Sequence, residues 1–203
     1  MKDIESLPPS MFELLHQKIT ETVSISDEDF EFCKTLFQPK KLRKKRFILG
    51  EGDVCKYTIF LEKGLLRSFI VDEKGAEHVL QFSLEGWWCA DLYSFFTGEP
   101  SNYNIEALED CELLLITKPS WDLLLERVPA LERYFRILIQ NNLIVTQRRL
   151  MGSFSETAEE KYNNLIYAFP DILQRVPQHM IASYIGISRE TLSRIRGQMA
   201  IRR

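Results

Sequence analysis

Pro177-Gln-His-Met-Ile-Ala-Ser-Tyr-Ile-Gly186-Ile-Ser-Arg-Glu-Thr-Leu-Ser-Arg-Ile-Arg-Gly-Gln198 reads as two short helices joined at a glycine. Met180, Ile181, Tyr184 and Ile185 fall at helical spacing, and Gly186 then breaks the run. Ser188 suits the N-cap of a second helix, with Glu190 in its first turn, where negative charge complements the helix dipole. Ala182 is small where two helices must cross closely, and Gly186 can adopt the positive φ of a tight turn. Leu192 and Ile195 point to one side of the second helix, and Arg189, Ser193, Arg194 and Arg196 lie largely on the others. A helix-turn-helix needs this arrangement, because its second helix enters the major groove while the first braces it. The alternative is an ordinary helical hairpin, and charge separates the two readings. Six arginines face one acid from Arg175 to the end, a local charge of +5. With −3 overall, the preceding 174 residues carry −8. One end is expected to touch nucleic acid while the rest is held off it.

Working back along the chain, Thr157-Ala-Glu-Glu160 has capping-box form and opens a helix through Phe169, closed by Pro170. Residues 171 to 175 bridge into the helical pair. Gly152-Ser153 is expected to break the preceding helix and to mark the domain boundary, giving domains 1–151 and 152–203. That preceding helix is predicted over about 130–151. Its stripe Leu131, Phe135, Leu138, Asn142 and Val145 steps by four and three, which is coiled-coil spacing, so these five are candidate dimerisation residues. Ile137, Ile139, Leu143, Ile144 and Leu150 lie on other faces, so the helix is expected to bury more than one side. A short helix over 121–127 precedes it.

Between residues 52 and 117 the pattern changes. Glycines recur at 52, 64, 75, 86 and 98, separated by 12, 11, 11 and 12 residues, with strand-like runs at 57–61, 65–71, 79–82 and 113–116. Regular strands with turn signals at that interval predict an antiparallel roll, with 71–77 as a hairpin tip. Trp88, Tyr93 and Tyr103 are candidates to line an effector pocket there, although core packing explains the same aromatic run. Lys40-Lys-Leu-Arg-Lys-Lys-Arg46 places six cations in seven positions, read here as a strand edge or exposed face in preference to a nucleic-acid patch. Further upstream, Pro8-Pro9-Ser10 stops any early helix, a helical stripe runs from Met11 through Ile19 and Val23, and Ser26 to Asp29 cap a helix over 30–37. The expected class is therefore α+β: a jelly-roll-like antiparallel β-roll with flanking helices, a long dimerisation helix and a C-terminal helix-turn-helix.

The segment Gly186-Ile-Ser-Arg-Glu-Thr-Leu-Ser-Arg194 resembles the recognition segment of CRP/FNR-type bacterial transcription regulators, whose signature is Gly-x-Ser-Arg-Glu-Thr-x-x-Arg. The resemblance extends over about residues 25–200. It implies that Arg189, Glu190 and Arg194 read base edges and that Ser188, Thr191 and Gln178 hold phosphates, with Arg196 on the same DNA-facing helix. Arginine can bond guanine O6 and N7, and glutamate can accept from cytosine N4. The implied partners are double-stranded DNA, a second copy of the chain and RNA polymerase, with an unidentified small effector or none. Two departures stand out. Cyclic-nucleotide-binding members carry Gly-Glu-Leu and then Arg-Ser, where this chain has Ala90-Asp91-Leu92 and Ser101-Asn102. No lysine or arginine lies between Lys74 and Lys118, against eight acids, and Arg67 is the one nearby cation that could swing in. Second, only Gly197 to Arg203 follow the recognition helix where many members continue into a β wing, and Arg202 and Arg203 could touch the DNA backbone instead.

Competing readings are a cyclic-nucleotide-dependent regulator and a cupin-like metal-dependent enzyme. Cupins gather several histidines at the barrel mouth, whereas this region offers His78 alone, so no enzyme, metal or cofactor is expected. Cys33, Cys55, Cys89 and Cys111 lie 22 or more residues apart, which lends no local support to zinc or an iron–sulfur cluster and predicts free, buried thiols. No apolar run reaches membrane-spanning length and Met1 to Glu5 opens no signal peptide, so a cytoplasmic protein is expected.

Overall fold

The computed structural model describes residues 9–201. The readings placed on Met1 to Pro8 and on Arg202 and Arg203 fall outside them. A 3₁₀ turn, Pro9–Phe12, leads into α1 (Glu13–Thr20) and α2 (Asp27–Leu36). Ser26 Oγ accepts the Asp29 N–H at 3.1 Å and caps α2 as its sequence position predicts. Eight strands follow among the described residues: β1 (Gln38–Leu42), β2 (Phe47–Leu49), β3 (Tyr57–Lys63), β4 (Leu66–Val71), β5 (Glu77–Ser83), β6 (Trp88–Cys89), β7 (Asn104–Ala107) and β8 (Cys111–Thr117). They form two four-stranded sheets in the orders β1-β8-β3-β6 and β2-β7-β4-β5. Short α3 (Leu92–Thr97) interrupts the strands, and α4 (Lys118–Arg127), α5 (Pro129–Ser155), α6 (Ala158–Ala168), α7 (Ile172–Arg175), α8 (Gln178–Ile185) and α9 (Arg189–Ile201) complete the chain. The five regularly spaced glycines all have positive φ, the physical reason their interval marks the turns of a roll.

Among the described residues two compact units are present: 9–68 with Phe82–Ile139, and Phe69–Gln81 with 140–201. The first holds most of the roll and its core, in which Phe60, Leu61, Ile105, Leu113, Leu114 and Ile116 are buried, while the tip of the β4–β5 hairpin belongs to the second. An aromatic cluster anchors the start of α5 to it. The Phe135 ring lies 4.8 Å from Trp88 and 4.1 Å from Trp121, and the Trp88 Nε1–H donates to Tyr134 Oη at 3.2 Å. The basic run opens with β1, an edge strand of its sheet, as the edge reading anticipates. The short strands β2, β6 and β7 were not legible in the sequence.

Two sequence readings are corrected. Helix α5 does not break at Gly152-Ser153 but continues to Ser155. A helical glycine costs about 1 kcal/mol against alanine and does not by itself end a helix. Here the Glu156 carboxylate packs where a Cβ would stand, 2.8 Å from its ideal position. The stripe is also divided. Leu131 and Phe135 are buried in the roll's own core, Leu138 is half-buried, and only Asn142 and Val145 are exposed. Four-and-three spacing suits packing onto a sheet as well as onto a partner helix, so periodicity alone could not separate the two.

Glu62 on β3 accepts the Leu15 N–H at 3.1 Å, tying α1 to the roll. Burial, reinforced by Glu112 and Glu13, pushes its carboxyl up to about 7 against the backbone N–H groups of Leu15 and Leu14. A carboxyl raised on folding binds its proton more tightly folded than unfolded. Its stabilising contribution is therefore full below pH 4.5 and is lost as the pH rises through about 7. Glu62→Gln keeps an acceptor for Leu15 and should add about 1–3 kcal/mol above neutrality and little in acid, as read by urea unfolding on either side of that range.

Candidate nucleic-acid interface

The second unit builds its interface on a small helical core. Tyr162, Leu165, Ile172, Val176, Ile181, Ala182, Leu192 and Ile195 are buried, and α6, α8 and α9 pack pairwise. Thr157 and Glu160 form the predicted capping box at the start of α6. Gly186 ends α8 at φ 72°, its N–H donating to the Ser183 carbonyl at 3.1 Å while the Ile187 N–H reaches Ala182 O at 2.9 Å. A side chain at that φ would be strained, so the tight connection depends on glycine. The chain then turns directly into α9, where Ser188 Oγ accepts the Thr191 N–H at 3.1 Å.

With Leu192 and Ile195 turned inward, the opposite side of α9 carries Arg189, Glu190, Ser193 and Arg194, all exposed. Gln178 and Ser188 are exposed, and Thr191 and Arg196 are half-buried. Of the seven residues predicted to meet DNA, five are thus exposed and two half-buried, six of them on or directly before α9 and Gln178 at the start of α8. Its own backbone N–H, the Ser188 hydroxyl and the Arg189 charge hold the Glu190 carboxyl below the usual range. It is ionised at neutral pH, the state in which it accepts hydrogen bonds.

Contacts that sequence reasoning missed brace this surface. Ser183 on α8 accepts the Val79 N–H at 2.9 Å and donates to the Glu77 carbonyl at 3.0 Å, so one hydroxyl joins α8 to edge strand β5. The Arg149 guanidinium stacks 4.5 Å from the Tyr184 ring. A lone helical serine gives no signal of such a role.

In the first unit, the segments standing where a cyclic-nucleotide cassette would lie are bonded to one another. Asp91 caps α3 by accepting the Ser94 N–H at 3.1 Å, and its other oxygen takes the Ser101 hydroxyl at 2.7 Å. Ser94 Oγ accepts the Cys55 N–H at 2.8 Å. Arg67 is committed elsewhere: its guanidinium meets Glu106 Oε2 at 2.6 and 2.8 Å, with both residues buried. The three aromatic effector candidates are dispersed. Trp88 packs in the core cluster, the Tyr103 hydroxyl donates to Ala90 O at 3.0 Å, and Tyr93 is 60% exposed on α3. A cleft of about 460 Å³ in the roll is lined by Leu49, Asp53, Val54, Lys56, Tyr57 and Ile105, with none of those three among its walls. His78, the histidine of the roll, pairs with Asp72 at 2.8 Å.

All four cysteines are buried and free. Burial pushes the Cys33 thiol up to about 12 and those of Cys89 and Cys111 up to about 11, and raises Cys55 as well. No helix among the described residues is long and apolar enough to cross a membrane.

Residues 39–128 match the family described as cyclic nucleotide-binding domain. The cyclic AMP receptor protein of Thermus thermophilus is 25% identical over 179 residues, covering 84% of this chain and 81% of that protein. The fumarate and nitrate reduction regulatory protein of Vibrio cholerae is 22% identical over 189 residues, or 86% of this chain and 74% of its own length. Among solved structures, FixK2 from Bradyrhizobium japonicum shares the fold at a TM-score of 0.69 with 18% identity, covering 82% of this chain and 85% of that one. These sequence similarities, two of which cover more than four fifths of this chain, support a transcription regulator of the CRP/FNR type.

Proposed function

We propose that the chain works as a homodimer on a two-fold symmetric DNA site, with residues 152–203 as the DNA-binding part and 1–151 as the sensor part. The observation that carries this is the exposed arginine-rich side of α9 behind a capped N-terminus. Arg189, Glu190 and Arg194 read base edges, and Ser188, Thr191, Gln178 and Arg196 position the helix on phosphates. Two such helices about 34 Å apart would match successive turns of one duplex face. Pairing is assigned to the solvent-exposed length of α5. Leu131 and Phe135 are already used inside the roll, so the seam shifts to Ile139, Leu143 and Leu150, at steps of four and seven, flanked by Asn142 and Val145. RNA polymerase is a further partner on this reading.

Cyclic-nucleotide control is not favoured. The cassette segments bond to each other, and Arg67 is held by Glu106, so an incoming cyclic phosphate would find no cation there. The sensor part either takes an uncharged or cationic effector or serves as the dimer's scaffold.

Selection of bound duplexes from a random pool, followed by gel shifts and sedimentation, tests the reading. It requires enriched sequences with two-fold symmetry, bound by two chains. Arg194→Ala should cost roughly 1–3 kcal/mol on the selected site and relax the preference at one base position. Equal weakening on every sequence would make Arg194 a phosphate contact. A monomer that enriches no sequence would overturn the proposal.

A further inference from the structure

Gly197 differs from the other glycines of this chain in having no use within it. Six of the nine take positive φ, and Gly50 and Gly152 each have a carboxylate within 3.0 Å of where a Cβ would stand. Gly197 shares neither property. The sequence places it just past the recognition helix, where a glycine would serve as a stop, but α9 runs through it for four more residues to Ile201. Its φ is not among the positive ones, so it caps nothing. Among the described residues, no atom beyond its chain neighbours and the local helix backbone comes within 4 Å of a Cβ at this position, so no crossing helix needs the space. Glycine is the poorest helix former after proline, and alanine is the best. Helix α9 therefore carries an unfavourable residue that the folded chain itself does not use.

Its place on the helix supplies the missing reason. At about 3.6 residues per turn, Gly197 lies one turn beyond Ser193 and Arg194 and two beyond Glu190, on the side opposite buried Leu192 and Ile195. All four residues of that side are exposed. Glu190 is the one acid from Arg175 onward, against six arginines, so this part of the chain suits a polyanion. An α-helix with its side chains is about 10–12 Å across and the major groove about 12 Å wide, so the fit is close. In such a fit, the residues in the middle of the facing side decide how deeply the helix seats. At Gly197 that surface is bare backbone, which can approach a ligand more closely than any side chain would allow.

We infer that Gly197 is a positioning residue for DNA: the side chain it omits lets the duplex close against the α9 backbone, and so brings Arg189, Glu190 and Arg194 within reach of base edges. The inference rests on the DNA-binding reading above and adds to it a size limit at one position. Its test exploits two effects of opposite sign. Anisotropy titrations would compare Gly197→Ala and Gly197→Gln with the wild type on the duplex selected by the protein and on a scrambled duplex of the same length and composition. Thermal unfolding of each variant would be followed in parallel. Gly197→Ala should melt about 2–4 °C higher than the wild type, because alanine favours the helix. It should nonetheless bind the selected duplex roughly fivefold more weakly, the scale of one impaired base contact, and Gly197→Gln roughly tenfold or more. Affinity for the scrambled duplex, set by phosphate contacts, should stay within about twofold, so the preference between the two duplexes falls. A merely structural role would not produce a more stable protein that discriminates less. Wild-type affinity of both variants for the selected duplex overturns the inference while leaving the reading of α9 intact. A lower melting temperature in Gly197→Ala also overturns it, by showing that the chain's own packing requires the glycine. A wild-type chain that prefers no duplex overturns both.

Discussion

Glu106→Ala should destabilise the roll by about 3–5 kcal/mol, as measured by urea unfolding, because it strands a buried guanidinium. Arg67 is 4% exposed on β4 and Glu106 is 9% exposed on β7, neighbouring strands of one sheet. Each desolvates the other, and their two short contacts offset that cost. Removing one partner therefore differs sharply from removing both. The apolar pair Arg67→Met with Glu106→Leu should lie within about 1 kcal/mol of wild type or above it, since well-packed hydrophobic replacements of buried ion pairs are often neutral or stabilising. If the double variant were as unstable as Glu106→Ala, the site would be valued for its shape and not for its charges. The pair also bears on function. An arginine held in this way is not available to an incoming phosphate, so isothermal titration with cyclic AMP or cyclic GMP should show no micromolar binding to the wild type.

Leu192→Ala should cost about 2–5 kcal/mol and, on the proposed function, abolish operator binding although the residue lies on the buried side of α9. Leu192 is completely buried within the small core that holds α9 in place. Truncating it opens a cavity in the unit with the fewest apolar residues to spare, so the recognition helix loses its support. The signature differs from that of Arg194→Ala, which should leave thermal unfolding unchanged while altering base preference. For Leu192→Ala, binding should return when an excluded osmolyte such as trimethylamine N-oxide restores the folded population. A variant that melts like the wild type and still fails to bind would show that Leu192 meets the DNA.

How far the sequence could be read followed from the kind of signal each element left. Gly186, Ser188 and the inward positions of α9 are dictated locally, by backbone conformation, capping and helical period, and each stands as anticipated. The glycine interval worked for the same reason: each of the five marks a backbone turn that favours glycine. Tertiary partners were not legible. Leu131 and Phe135 have the spacing of a dimer seam but face their own roll, which no periodicity reveals. Gly152 carries the ordinary local signal of a helix break, and that signal says nothing of the Glu156 carboxylate packed beside it. Ser183 carries no pattern, since its partners are backbone groups of a hairpin about a hundred residues away in the chain. The strands of two to four residues were too short for alternation to register.

The buried thiols make the protein its own stopwatch. A sulfur reacts with an alkylating reagent only as thiolate and only when reached, and Cys33, Cys55, Cys89 and Cys111 are denied both while their surroundings stay closed. Modification under native conditions would therefore be timed by opening of the structure and not by intrinsic sulfur chemistry. All four lie in the roll unit and none follows residue 111, so such a clock runs for one half of the molecule and is blind to the other. Slower alkylation on adding operator DNA would accordingly measure stabilisation that had travelled from the helices at the carboxyl end into the strands.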